Sequence, residues 1–141
     1  MSLVLSKDEL TDYLAEIFPQ MSRDFAIDRL EPDGIAMRLL VGDRHLRPGG
    51  TVSGPSLFAL ADVCVYAMIL SRLGRLALAV TTNSSIDFLR KPAAGKDIIA
   101  RGKLLKLGRS LVVGDVLMYS QSLTEPVARA TMTYSIPPAK A

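Results

Sequence analysis

GGTVSGPSLFALADVCVYAMIL, residues 49–70, joins a glycine-rich entry to fourteen positions, Leu57 to Leu70, of which thirteen are apolar or aromatic. The exception is Asp62. Ser53 or Gly54 is suited to cap a helix, and Pro55 stands where a missing N–H does no harm. The helix is expected to run to about Leu73, with Gly74 as its stop. A helix so apolar belongs inside a core, where an ionised carboxylate is costly unless something compensates it. Two readings of Asp62 follow. It is a structural carboxylate satisfied by backbone or arginine, or a functional one whose incomplete solvation raises its pKa and sharpens its basicity.

Upstream of that helix, Ser6 and Glu9 have capping-box spacing, and Leu10, Tyr13, Leu14, Ile17 and Phe18 follow at helical spacing until Pro19 closes the helix. Phe25-Ala26-Ile27 leads through Glu31-Pro32-Asp33-Gly34 into Ile35–Leu40, a hairpin by its turn chemistry. Downstream of Gly74 the period changes to two. A strand is expected from about Ala77 to Leu89, with Leu78, Val80, Ile86 and Phe88 on one face and Thr81, Asn83, Ser85 and Asp87 on the other. Strands at roughly 98–106, 110–120 and 126–136 follow on hairpin-length links, which imply antiparallel pairing. The expected fold is α+β: an antiparallel sheet of five to six strands wrapped around one long central helix, plus a short N-terminal helix. Length fits one domain, 1–141, with its core at about 34–136.

Composition narrows the function. Of 141 residues, 49% are hydrophobic and 22% charged, an ordinary globular balance. A single cysteine, Cys64, excludes an intramolecular disulfide and fits a reducing compartment. One Cys and one His, His45, cannot build a Cys/His zinc site, so no metal is expected. The N-terminus lacks a basic lead and a sustained apolar run, and the longest apolar stretch is short of the roughly 20 residues a bilayer requires and contains Asp62. A cytoplasmic protein without membrane partners is expected. The net charge of +3 suits an anionic ligand, but there is no basic stripe interleaved with aromatics for nucleic acid.

The run Gly50-Thr51-Val52-Ser53-Gly54-Pro55 followed by Leu57–Asp62 resembles the signature of the PaaI-type hotdog-fold acyl-CoA thioesterases, N-x-x-G-T-V-H-G-G and an apolar helix carrying Asp. Ile86-Asp87-Phe88-Leu89-Arg90-Lys91-Pro92 with Gly95, and Leu107-Gly108-Arg109, are also similar to that family. The likeness spans about residues 34–136, and Asp62 follows Gly54 by eight positions, the family's own spacing. The resemblance implies hydrolysis of a small-to-medium acyl-CoA or aryl-CoA thioester, no cofactor beyond the coenzyme A of the substrate, and a homodimer, as a dimer of dimers. It implies Asp62 as base or nucleophile, the Gly54 N–H as oxyanion donor and Thr81 as a hydroxyl that orients water. Around them it implies substrate contacts from Ser53, Arg47 and Pro55, and coenzyme A phosphate contacts from Arg90, Lys91 and Arg109.

Independent chemistry agrees on the roles of the first two. Thioester hydrolysis requires a base or nucleophile near the acyl carbon, and an N–H at the positive end of a helix is a natural oxyanion donor. Eight helical residues separate Gly54 from Asp62 by about 12 Å along the axis, too far for both to act on one atom. The resemblance implies that the donor of one chain faces the carboxylate of the other. Two positions depart from the family: Ser53 replaces its His and Arg47 its upstream Asn, side chains that shape the loop and hold the thioester or attacking water. They raise the alternative of a non-catalytic acyl-CoA- or lipid-binding module. A hotdog hydratase requires a His with the Asp in one motif, and no His follows residue 45.

Overall fold

Ser53 starts the central helix: its Oγ accepts the Ser56 N–H at 3.3 Å, Pro55 occupies the first turn, and the chain continues as helix α3, Gly54–Leu73, until Gly74 at φ 95° ends it. The computed structural model describes residues 2–138, Met21 by its backbone only; Met1 and residues 139–141, the ends of the expected 1–141 domain, lie outside the described residues. Ser6 and Glu9 exchange both hydrogen bonds of the capping box at the start of α1, Lys7–Ile17. Pro19 does not merely stop that helix but opens a short one, α2, Pro19–Ser22, because a missing N–H is tolerated at a first helical position.

Among the described residues, six strands form one antiparallel sheet in the order β1-β2-β4-β5-β6-β3. They are β1 Phe25–Glu31, β2 Gly34–Leu39, β3 Val80–Phe88, β4 Ile98–Leu107, β5 Leu111–Ser120 and β6 Pro126–Ser135. Glu31 pairs with Gly34 around Pro32 and Asp33, the hairpin expected from that turn. Helix α3 packs on β2, β4, β5 and β6, and thirteen of its residues, Cys64 and Ala67 among them, are buried. Two strand glycines let it approach. A Cβ on Gly114 would stand 3.0 Å from both methyls of Val65, and one on Gly102 would stand 2.8 Å from Met68 Cε. Arg72, at the last turn of α3, donates to the carbonyls of Glu31 and Pro32 at 2.8 and 2.6 Å, tying the first hairpin to the helix. By length and composition α3 could cross a membrane, contrary to the sequence expectation, but 72% of its apolar window is buried inside the protein.

The structure corrects the reading of β3. A bulge between Thr81 and Asn83 adds one residue to this strand, and one extra residue reverses every side chain before it relative to those after. Thr81 pairs with Tyr134 and Ile86 with Ala130, and directly paired residues share a face. Thr81 and Ile86 therefore both face the helix. Val80, opposite Ser135, faces away and is 56% exposed, and Leu78 ahead of the strand is 79% exposed. β3 is an edge strand, with no partner on its outer side among the described residues.

Candidate active site

Asp62 lies in the third turn of α3, half-buried, on the side of the helix that looks toward the first residues of β3 and the last of β6. Two hydroxyls reach it. Thr81 donates through Oγ1 to Asp62 Oδ1 at 2.6 Å, and Tyr134 donates through its phenol to the same oxygen at 2.8 Å. The phenol also lies 3.2 Å from the Asp62 carbonyl oxygen. Hydrogen bonds to a carboxylate are short and strong, so the pair fixes the carboxylate's orientation. Oδ2 has no hydrogen-bond partner among the described residues. Asp62 thus presents one restrained oxygen and one available oxygen to an open cleft of about 460 Å³, walled by Ile17, Phe18, Tyr66, Val80, Thr81 and Tyr134.

Tyr134 shares an apolar parity with Ala128, Ala130, Met132 and Ile136, so from the sequence it reads as core. Its phenol is held protonated: burial pushes its pKa up, and the neighbouring Asp62 carboxylate pushes it further. Its ring stacks on Tyr66 at 5.8 Å between centroids. Tyr66 in turn donates to the Ala77 carbonyl at 2.8 Å, and burial raises its phenol to about 12.

Gly54 stands in a second cleft of about 460 Å³, shared with Arg47, Leu57, Phe88, Arg90 and Lys91. The Phe88 ring lies so close that a Cβ on Gly54 would stand 3.2 Å from its Cζ. At the first position of α3 the Gly54 N–H has no partner inside the helix, and none among the other described residues. The loop before it is built by Gly49 and Gly50 at φ 105° and 85°, with Leu46 bridged to Val52. The Arg47 N–H bonds the Thr51 carbonyl at 2.8 Å, while its side chain remains exposed at the cleft. Ser53 is occupied as the helix cap, its Oγ also donating to Ser56 Oγ at 3.1 Å.

The other expected contacts divide. Arg90 and Lys91 border the Gly54 cleft, where Arg90 pairs with Glu125 at 3.3 Å and donates to the Pro126 carbonyl. Pro55 lines a different recess with Asp24, His45 and Ser56. Arg109 precedes β5, whose first residue, Leu111, pairs with Ser135, itself opposite Val80. It is therefore at the Thr81 end of β3, the length of that strand, roughly 25 Å, from Arg90 and Lys91. His45 is buried: its Nδ1 accepts the Gly42 N–H at 2.8 Å and its carbonyl accepts the Ser53 N–H at 2.8 Å. It braces the loop that ends at Gly54. Cys64 is fully buried among core side chains, and burial raises its thiol to about 12, which leaves it unreactive.

The family model for the thioesterase superfamily matches residues 49–127, more than half of the chain, a span that includes Gly54, Asp62 and Thr81 but ends before Tyr134. The structure is similar to that of a Silicibacter sp. TM1040 protein described as a thioesterase, with a TM-score of 0.93 and 62% identity over 98% of this chain and 96% of that one. A Haemophilus influenzae thioesterase shares the fold at a TM-score of 0.84 and 19% identity, over 98% and 96% of the two chains. A Streptococcus mutans protein bound to acetyl CoA matches at a TM-score of 0.71 and 27% identity, over 83% of this chain and 91% of that one. No curated protein matches the chain.

Proposed function

The chain belongs to the thioesterase superfamily, and from that premise we propose that it cleaves small-to-medium acyl-CoA or aryl-CoA thioesters to the free acid and CoA, in the manner of the PaaI-type enzymes. It is a thioester hydrolase. The observation that carries the finer reading is the Asp62 carboxylate, restrained through Oδ1 by two hydroxyls and open through Oδ2. A Streptococcus mutans relative with acetyl CoA bound supports coenzyme A as the carrier.

In this reading the working unit is a homodimer joined at β3. Asp62 stands beside Thr81 at one end of that strand, and Gly54 beside Phe88 at the other. If two β3 strands pair antiparallel about a two-fold axis, the Thr81 end of one meets the Phe88 end of its partner. Asp62 then faces the partner's Gly54, and Arg109 approaches the partner's Arg90 and Lys91, a cationic group suited to the coenzyme A phosphates. Isologous pairing of this kind is the commonest oligomeric symmetry.

The chemistry then divides between chains. Asp62 Oδ2 takes a proton from water as the water oxygen adds to the thioester carbon, and the carbonyl oxygen gains the electron pair and rests on the Gly54 N–H of the partner. The tetrahedral adduct collapses, the C–S bond breaks, and the proton on Asp62 passes to the departing thiolate, giving acid and free thiol. Direct attack by Oδ2 reaches the same products through an acyl anhydride that water cleaves. Thr81 and Tyr134 hold Oδ1 throughout. The test is free-thiol release from a panel of acyl-CoAs by the wild-type protein and Asp62→Asn. A loss of about 10³-fold or more is expected for removal of a catalytic base or nucleophile. Equal rates would end the role of Asp62.

A further inference from the structure

Beneath the N-terminal helices lies a cavity of about 190 Å³, lined chiefly by Leu14, Phe18, Phe25, Ile27, Met37 and Val63. Partly open to solvent, it leaves apolar side chains against water, a surface that an apolar occupant covers favourably. Its placement suggests which. Val63 directly follows Asp62 in α3, and Phe18 is the wall shared between this cavity and the Asp62 cleft. Phe18 caps α1 with its N–H bonded to the Leu14 carbonyl at 2.8 Å, which holds the backbone while the half-buried ring remains on the partition between the two spaces.

We propose that the acyl or aryl group of the substrate enters this cavity past Phe18, and that Phe18 and the cavity behind it set which acyl groups are accepted. The inference rests on the reading of the chain as an acyl-CoA thioesterase. With the thioester carbon at Asp62, the carbon chain must continue away from the sulfur, and the apolar space that shares a wall with the Asp62 cleft is this one. A cavity of roughly 150 Å³ holds benzene, so 190 Å³ accepts one aromatic ring or an aliphatic chain of about six carbons.

Ala15 lines the cavity from α1, on the helix face it shares with Thr11 and Phe18, and Ala15→Leu narrows it. With acetyl-, hexanoyl- and phenylacetyl-CoA as substrates, Ala15→Leu is expected to lower kcat/KM for the two larger thioesters about tenfold or more, while acetyl-CoA stays within about twofold, since each excluded methylene forfeits roughly a fourfold gain. Phe18→Ala, which joins the two spaces, is expected to move the optimum to decanoyl-CoA or longer, and it tests the idea should Ala15→Leu not fold. Equal losses on all substrates, or no change of profile in either variant, overturn it. Calorimetry on Asp62→Asn gives a readout without turnover: hexanoyl-CoA is expected to bind more tightly than acetyl-CoA, and Ala15→Leu on that background is expected to cancel the difference. If the wild-type protein hydrolyses no thioester, the proposed activity fails, whereas equal affinity for the two ligands refutes the cavity alone.

Discussion

One oxygen of Asp62 receives both hydroxyls, and this asymmetry has a measurable consequence. Thr81→Val and Tyr134→Phe each delete one donor and keep most of the side chain. A hydrogen bond to a charged group is worth about 1.5–3 kcal/mol, which as lost orientation in the transition state corresponds to a fall in kcat of about tenfold to a hundredfold. KM is expected to change little, because neither hydroxyl need touch coenzyme A. The double variant is expected to lose less than the product of the single losses, since both hydroxyls act on one group. Steady-state kinetics of the three variants read this out, and a change confined to KM would place the hydroxyls on substrate instead. The sequence makes Asp62 conspicuous, as the lone charge in an apolar run, and a threonine in its neighbourhood can be guessed from family likeness. Tyr134 cannot be found that way. Its parity is that of a core residue, and only the pairing of β6 with β3, together with the bulge that turns Thr81 inward, brings its hydroxyl to the carboxylate.

At the scale of elements, α3 is legible because its cap, its proline, its unbroken apolar stretch and its terminal glycine all agree. β3 is not, because a bulge of one residue leaves no reliable mark on composition, and period-two counting runs through it with the wrong phase. The same helix that buries Asp62 only partly encloses two weaker acids, and these give it an alkaline limit. Burial raises the Cys64 thiol to about 12 and the Tyr66 phenol to about 12, against about 8.5 and 10 in an unfolded chain. The folded protein therefore keeps protons that the unfolded chain releases. Stability from these groups is fully present below the unfolded values and is lost as pH rises toward the folded ones, by up to about 1.4 kcal/mol per pH unit for each group. Urea midpoints measured from pH 8 to pH 11 are expected to fall, and Cys64→Ala is expected to flatten the decline between about pH 9 and pH 10. An unchanged slope in that variant would mean the thiol is not protected by the fold.

For the whole molecule, the question is whether one chain holds a complete site. Gly54 and Asp62 belong to one rigid helix, so no side-chain motion within the chain closes the roughly 12 Å between them. The exposed edge of β3, with apolar Leu78 and Val80 uncovered, offers the surface through which a second chain would supply the missing half. This division can be tested by complementation. Asp62→Asn removes the carboxylate from both sites of a dimer. Gly54→Pro removes the N–H from both, at a first-turn position that tolerates proline, although the Phe88 ring, 3.2 Å from a Cβ placed there, has to give way slightly. Each variant alone is expected to be inactive. In a mixed dimer, one site lacks both groups, while the other joins the intact Asp62 of one chain to the intact Gly54 N–H of its partner. Random reassortment of equal amounts makes about half of the dimers mixed, so thiol release is expected to recover to about a quarter of the wild-type rate. If both groups acted within one chain, every chain in the mixture would lack one of them and no activity would return. Recovery on mixing, absent from either variant alone, therefore separates a shared site from a self-contained one.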